Sequence, residues 1–219
     1  MGGGVLLLSA MTFFLPLQII VPIHGICQLT SNSSRAFFLK DKINKKIFAY
    51  FTVGAPFGTF AAVYLLKTLK NPDWALILMP VLIFYVLFKP KKLPKLKIPQ
   101  WSFLIVGFIA GILGPLVGAT GPFLAIFFLR DDLAKENIVA TKAATQFIIH
   151  LIKIPAFIYL AFPYLDYSLL IISMALANIL GTFYGVKILK KLPEMAFIYL
   201  YKSALLLAGI RIIYKIIAS

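Results

Sequence analysis

The sequence predicts an all-α polytopic membrane protein: two inverted repeats of transmembrane helices, each with a Gly/Pro-broken re-entrant half-helix. Three observations predict it. Of 219 residues, 61% are hydrophobic and 13% charged, with mean hydropathy +0.95, whereas a soluble globular chain is ~50% apolar and ~25% charged. The apolar residues come in runs of helical length separated by short charged loops, the pattern of helices threaded through lipid. Two stretches of the first half also recur in the second.

Taken in order, apolar length places helices at 5–14, 17–39, 47–66, 74–88, 137–160, 167–189 and 195–217. The first follows a run of glycines, Gly2-Gly3-Gly4. The second begins apolar and turns polar within "HGICQLTSNSSR" (24–35). The third and fourth are flanked by Lys-rich segments at 40–46 and 89–97. Between 101 and 129 lies an interrupted segment. Gly114, Pro115, Gly118, Gly121 and Pro122 each disfavour a helix. Trp101 to Leu113 gives about 20 Å at ~1.5 Å per residue, and Phe123 to Leu129 gives less. A bilayer core needs ~30 Å, so the reading is that neither half crosses alone. Packing or a kink would account for a single Gly-xxx-Gly; this density of breakers points to a discontinuous element.

The repeat is visible in two places. "GTFAAVYLLKTL" (58–69) and "GTFYGVKILKKL" (181–192) share seven of twelve positions. "HGICQLTSNSSR" (24–35) lies over "KAATQFIIHLIK" (142–153), so His24 meets Lys142, Gln28 meets Gln146, Asn32 meets His150 and Arg35 meets Lys153. The chain divides into a first repeat, 1–97, and a second, 98–219, a common plan for secondary transporters. The alignment sets "MGGGVLLL" over "ATGPFLAI" and leaves 101–118 without a counterpart. The expectation is therefore of residues upstream of Met1, or of a misassigned start.

Charge sets the orientation. If 101–129 enters and returns to one face, the loops at 40–46, 89–97, 130–136 and 187–191 share that face and hold fourteen Lys/Arg against four opposite. If it crosses, the division is eleven to seven. The bias of Lys and Arg to the inner face favours the return and makes the repeats inverted. Irregular backbone at that depth is tolerated where protein or water covers it, and half-helix ends there offer N–H groups and positive dipole ends.

The formal charge of +15 is thus a topological signal, and no nucleic-acid partner is expected. One cysteine, Cys27, allows neither an internal disulfide nor a thiolate cluster. No HExxH, GxSxG or Walker pattern occurs. No cofactor, metal or catalytic activity is expected. Ser31 or Ser33 beside His24 could make a hydrolase nucleophile, but no acid orients the histidine.

All seven acidic residues fall in loops or at helix ends, whereas Arg35, Lys142, Lys153 and Lys202 fall within helical spans. Intramembrane charge usually faces a partner or a pathway, and without carboxylates nearby the simplest partner is a bound anion. His24, Gln28, Ser31, Asn32 and Arg35 share about a third of a turn. Lys142, Gln146, His150 and Lys153 make the matching stripe. Other readings stay open: Arg35 snorkelling to the basic loop, Lys142 near the interface, and each histidine as an interhelical hydrogen bond. Asn178 has no counterpart in the repeat and is not assigned.

The duplicated Gly-rich break ("GGG", "GATGP") and the "VAT" helix start ("IVATKAATQ"), together with "PIHGICQLTSNSSR", resemble the TauE/SafE sulfite-exporter family of permeases. The resemblance implies a multi-pass transporter of the cell (inner or plasma) membrane that carries small sulfur-containing anions such as sulfite or sulfonates. By position it implies a first half-site at Gly2, Gly3, Gly4, His24, Gln28 and Asn32. The second half-site falls at Gly118, Thr120, Gly121, Thr141, Thr145 and Gln146. Lys142 and Lys153 join them from the stripes. The expected partners are a small inorganic or organosulfur anion and the lipid bilayer. The expected mechanism is alternating access, with an anion channel as the alternative, and the oligomeric state is left open.

Overall fold

The computed structural model describes residues 3–68, 77–88, 98–128, 130, 132–189 and 194–217. Gly2, residues 74–76 of the fourth expected helix, and the basic stretches 89–97 and 190–191 lie outside the described residues. The described chain is helical throughout, without strands. Its helices are α1 (Gly3–Phe14), α2 (Leu17–Phe38), α3 (Lys45–Thr68), α4 (Leu78–Phe88), α5 (Phe103–Val117), α6 (Gly121–Phe127), α7 (Lys135–Tyr159), α8 (Ser168–Leu189) and α9 (Glu194–Ile217). Among the described residues, two helical stretches are long and apolar enough to cross a membrane, Lys45–Thr68 and Gln100–Val117. Large apolar side chains face outward, including Phe57, Phe60 and Tyr64 on α3 and Leu169, Ile172 and Leu176 on α8. That is the surface a lipid-facing bundle presents.

The interruption between α5 and α6 is shorter than the sequence suggests. Gly114 and Pro115 are inside α5, and the break is confined to Gly118–Thr120. Pro115 has no N–H, which strands the carbonyl of Gly111 four residues earlier. The Thr59 hydroxyl from α3 donates to that carbonyl at 3.3 Å. A neighbour thus repairs the ladder, and the helix runs on. It ends where Gly118 N–H bonds the carbonyl of Gly114 at 3.1 Å and Gly118 turns to φ +84°, a region that favours glycine. Counting the 3-10 turn at Gln100–Ser102, the first half is 18 residues long, about 27 Å. The expectation that it falls well short of a bilayer is corrected. Gly3 and Gly4 also form the first turn of α1 rather than an irregular break.

The segment comes back to its start. Arg130, just past α6, donates to the carbonyl of Ile98 at 2.7 Å, and Phe128 packs on Phe103 with centroids 5.2 Å apart. Leu124, Phe51 and Ile149 complete that apolar cluster. Asp132 forks Arg130 with contacts of 2.7 and 2.6 Å, and this hydrogen-bonded guanidinium holds the Asp132 carboxyl below the usual carboxylate range.

Helices α3 and α5 lie side by side in the same direction at very close range. A Cβ on Gly58 would sit 1.8 Å from the carbonyl oxygen of Phe108, and one on Gly54 2.0 Å from that of Leu104. From the other side, a Cβ on Gly107 or Gly111 would meet the carbonyls of Phe51 and Ala55 at 2.4 and 2.2 Å. Lipid gives no hydrophobic drive for helix association, so small residues that let backbones touch supply it through dispersion. At the far side of the bundle, Arg211 of α9 donates to the carbonyls of Thr12 and Phe13 at 3.1 Å each. A cation there complements the C-terminal end of α1. Lys202, expected within the same span, is exposed.

Candidate functional site

The site lies between α2 and α7, which run antiparallel. His24 meets His150 edge-to-face, centroids 6.0 Å apart. At the other end, the corner after α2 is tied to the start of α7. Asn44 N–H donates to Thr141 Oγ1 at 2.8 Å, and Asn137 Nδ2 to the carbonyl of Lys42 at 2.8 Å. Asn44 Oδ1 in turn accepts the N–H of Ile47 at 3.0 Å, capping α3.

A cavity of about 390 Å³ opens along this contact. The first turns of α1 and α6 close one flank, through Gly3, Gly4, Gly121 and Pro122, and Asn178 of α8 contributes on another. Each glycine flank makes room for a glutamine. A Cβ on Gly4 would sit 3.2 Å from Gln28 Oε1, and one on Gly121 3.1 Å from Gln146 Nε2. Exposure grows along the helices from His24 and His150, which are buried, to Arg35, which is exposed. The histidines therefore form the floor, Gln28 and Gln146 the middle, and Ser31, Arg35 and Val139 the mouth.

The cavity brings together Gly3, Gly4, His24, Gln28, Gly121, Lys142 and Gln146 of the expected site residues. The others sit in its walls. Lys153 is fully buried below the floor and donates to the carbonyl of Gly118 at 3.1 Å; that carbonyl belongs to the break. Thr120 is buried at the start of α6 with no partner for its hydroxyl, and Asn32 uses its Nδ2 on the carbonyl of Gln28 at 2.9 Å. Thr141 accepts from Asn44, and Thr145 donates to the carbonyl of Lys142 at 2.9 Å.

Ser31, Arg35 and His150 belong to the stripes, and the cavity includes them. The Arg35 guanidinium bonds Ser31 Oγ at 2.8 Å, which holds it over the mouth. Asn178 is the residue that repeat-based reasoning passes over. Its Nδ2 donates to the carbonyl of Cys27 at 3.0 Å. An amide within the apolar run Leu169–Leu180 was the available signal.

Chemically, the described lining offers amide, hydroxyl, imidazole, ammonium and guanidinium groups and contains no carboxylate. Such a set recognises oxyanions, with charge from Arg and Lys and direction from the amides. The volume exceeds that of a few water molecules at ~30 Å³ each, enough for a small, partly hydrated anion.

No curated protein and no solved structure matches the chain. The family model described as "Sulfite exporter TauE/SafE" matches residues 1–212. The chain therefore belongs to the TauE/SafE sulfite-exporter family of membrane transport proteins.

Proposed function

We propose that the chain is a multi-pass secondary transporter that moves small sulfur-containing oxyanions through the α2–α7 cavity by alternating access. One observation carries the reading: the described cavity lining holds Arg35 and Lys142 with donor amides and no carboxylate. Such a lining offers a small oxyanion both positive charge and directed hydrogen bonds.

The arrangement of the halves supports inverted repeats. The repeat-related helices α2 and α7 run antiparallel, and the aligned pair Gln28 and Gln146 falls at mid-cavity. Helices α1 and α6 both begin at aligned positions, Gly3 and Gly121. The contact between Arg130 and Ile98 supports a segment that enters and leaves on one face. The lining is exposed at Arg35, near the end of α2, and buried at His24 and His150. A pocket open at one end and shut at the other favours a carrier over a continuous pore.

Two measurements test this. Thermal melting with sulfite, thiosulfate, sulfate, sulfonates and chloride should single out one sulfur oxyanion by stabilisation that rises with concentration. Proteoliposomes loaded with that anion should show saturable counterflow. Single-channel currents in place of counterflow would favour the channel, and no stabilisation by any anion would remove the reading.

A further inference from the structure

The floor of the cavity holds two histidines that binding by Arg35, Lys142 and the amides does not need. Both are buried, both line the cavity, and neither Nδ1 has a hydrogen-bond partner. His24 Nε2 lies 2.8 Å from the carbonyl of Gly4. A carbonyl only accepts, so Nε2 carries the hydrogen and Nδ1 is left as a bare acceptor. The rings touch edge-to-face at 6.0 Å.

We propose that the cavity takes up its anion together with one proton, held by the His24–His150 pair. The inference rests on the anion reading of the cavity and adds its coupling ion. The charged and titratable groups around the pair are Lys142 and Lys153 on α7 and Arg35 and Cys27 on α2. Among the described residues, α1, α5 and α6 bring none, and α3 and α8 carry Lys45, Lys46, Lys67, Lys187 and the neighbouring Asp166 only toward their ends. With no carboxylate among the described residues of the cavity lining to share a proton, an imidazolium here gains its counter-charge when the anion arrives. The anion gains from the imidazolium equally, since coupling between two bound species is reciprocal. Two like charges on touching rings repel, which limits the pair to one proton. The proton comes from the compartment the cavity faces and leaves with the anion, so a monovalent anion crosses without net charge.

The same geometry argues against sodium. One carbonyl of the break, that of Gly118, is already occupied by the Lys153 side chain at 3.1 Å, which puts the protein's own cation where a sodium ion would bind. Carbonyls of this kind coordinate the driving cation in sodium-coupled folds.

Calorimetric titration of the purified protein with methanesulfonate and thiosulfate decides the matter, because both probes are fully ionised near neutral pH and cannot supply the proton. Run in two buffers of different ionisation heat, the wild type should take up close to one proton per anion. Over the pH interval in which that proton is taken up, affinity should weaken about tenfold per pH unit. The double variant His24→Gln, His150→Gln should lose the proton uptake. The wild-type measurement stands by itself if that variant does not fold. Anion binding without proton uptake, uptake undiminished in the double variant, or an affinity that depends on sodium would each overturn the proposal while leaving the anion cavity standing. Absence of binding by every anion tried would remove the cavity reading, and this one with it.

Discussion

The contact between α3 and α5 and the turn between α5 and α6 use the same amino acid for opposite ends. At Gly54, Gly58, Gly107 and Gly111 the missing side chain lets two backbones touch, and every φ stays helical. At Gly118 it lets one backbone leave the helix at φ +84°. The first group builds a tightly packed plank. The second opens a loop whose carbonyl is held by Lys153 and whose next helix borders the cavity. Damage to the plank should therefore abolish folding, and damage to the cavity should abolish transport first.

The largest effect is expected for Gly58→Leu. The new side chain would start 1.8 Å from a carbonyl that cannot yield, so the helices must part. Overpacking costs on the order of 1–3 kcal/mol where side chains can shift, and here backbone must move. Size-exclusion chromatography of the detergent-solubilised variant should find little monodisperse protein. A folded Gly58→Leu would mean that α3 and α5 do not meet as described.

Gly118→Ala comes next. A left-handed residue with a Cβ costs on the order of 1–2 kcal/mol, and the Cβ also presses Leu8 Cδ1 at 2.7 Å, a side-chain end that can give way. A lowered melting temperature with recoverable protein is the expected result. A melting curve equal to wild type would mean the break adopts another conformation.

Gln146→Ala sharpens the comparison from the cavity side. Losing one hydrogen bond to a charged ligand costs about 1.5–3 kcal/mol, so the KM for anion uptake should rise about tenfold or more, with melting nearly unchanged. Wild-type uptake would place the substrate elsewhere. The smallest effect is expected at the Arg130–Asp132 pair, whose guanidinium is buried but whose carboxylate is half exposed. Its carboxyl is held below its ordinary value by the guanidinium, so the contribution is present above the ordinary carboxylate range and lost as pH falls through the lowered one. Asp132→Asn should cost at most about 1 kcal/mol and flatten that acid-side dependence in a pH series of melts.

Much of this was legible in the residues. Helix number, the polar stripes and the alignment of Gln28 with Gln146 follow from periodicity and repetition, because lipid enforces long apolar runs and a buried polar stripe has few other uses. The extent of the break was not legible. Whether Pro115 ends a helix depends on Thr59 of another helix, a partner no local rule can supply. The packing role of Gly107 and Gly111 was hidden for the same reason. Glycine spacing indicates that a helix can be approached closely, not by what. Lys153 and Lys142 read alike on a helical wheel, yet one lines the cavity and the other grips the turn beneath it, a distinction set by the position of Gly118.

The bond from Thr59 to the carbonyl of Gly111 has one more consequence. If α5 slid lengthwise along α3 by a single residue, that oxygen would be orphaned in an apolar setting. The two helices are thereby locked in register. Under the alternating-access proposal, the rearrangement would then fall at the borders of this pair, where α7 meets it.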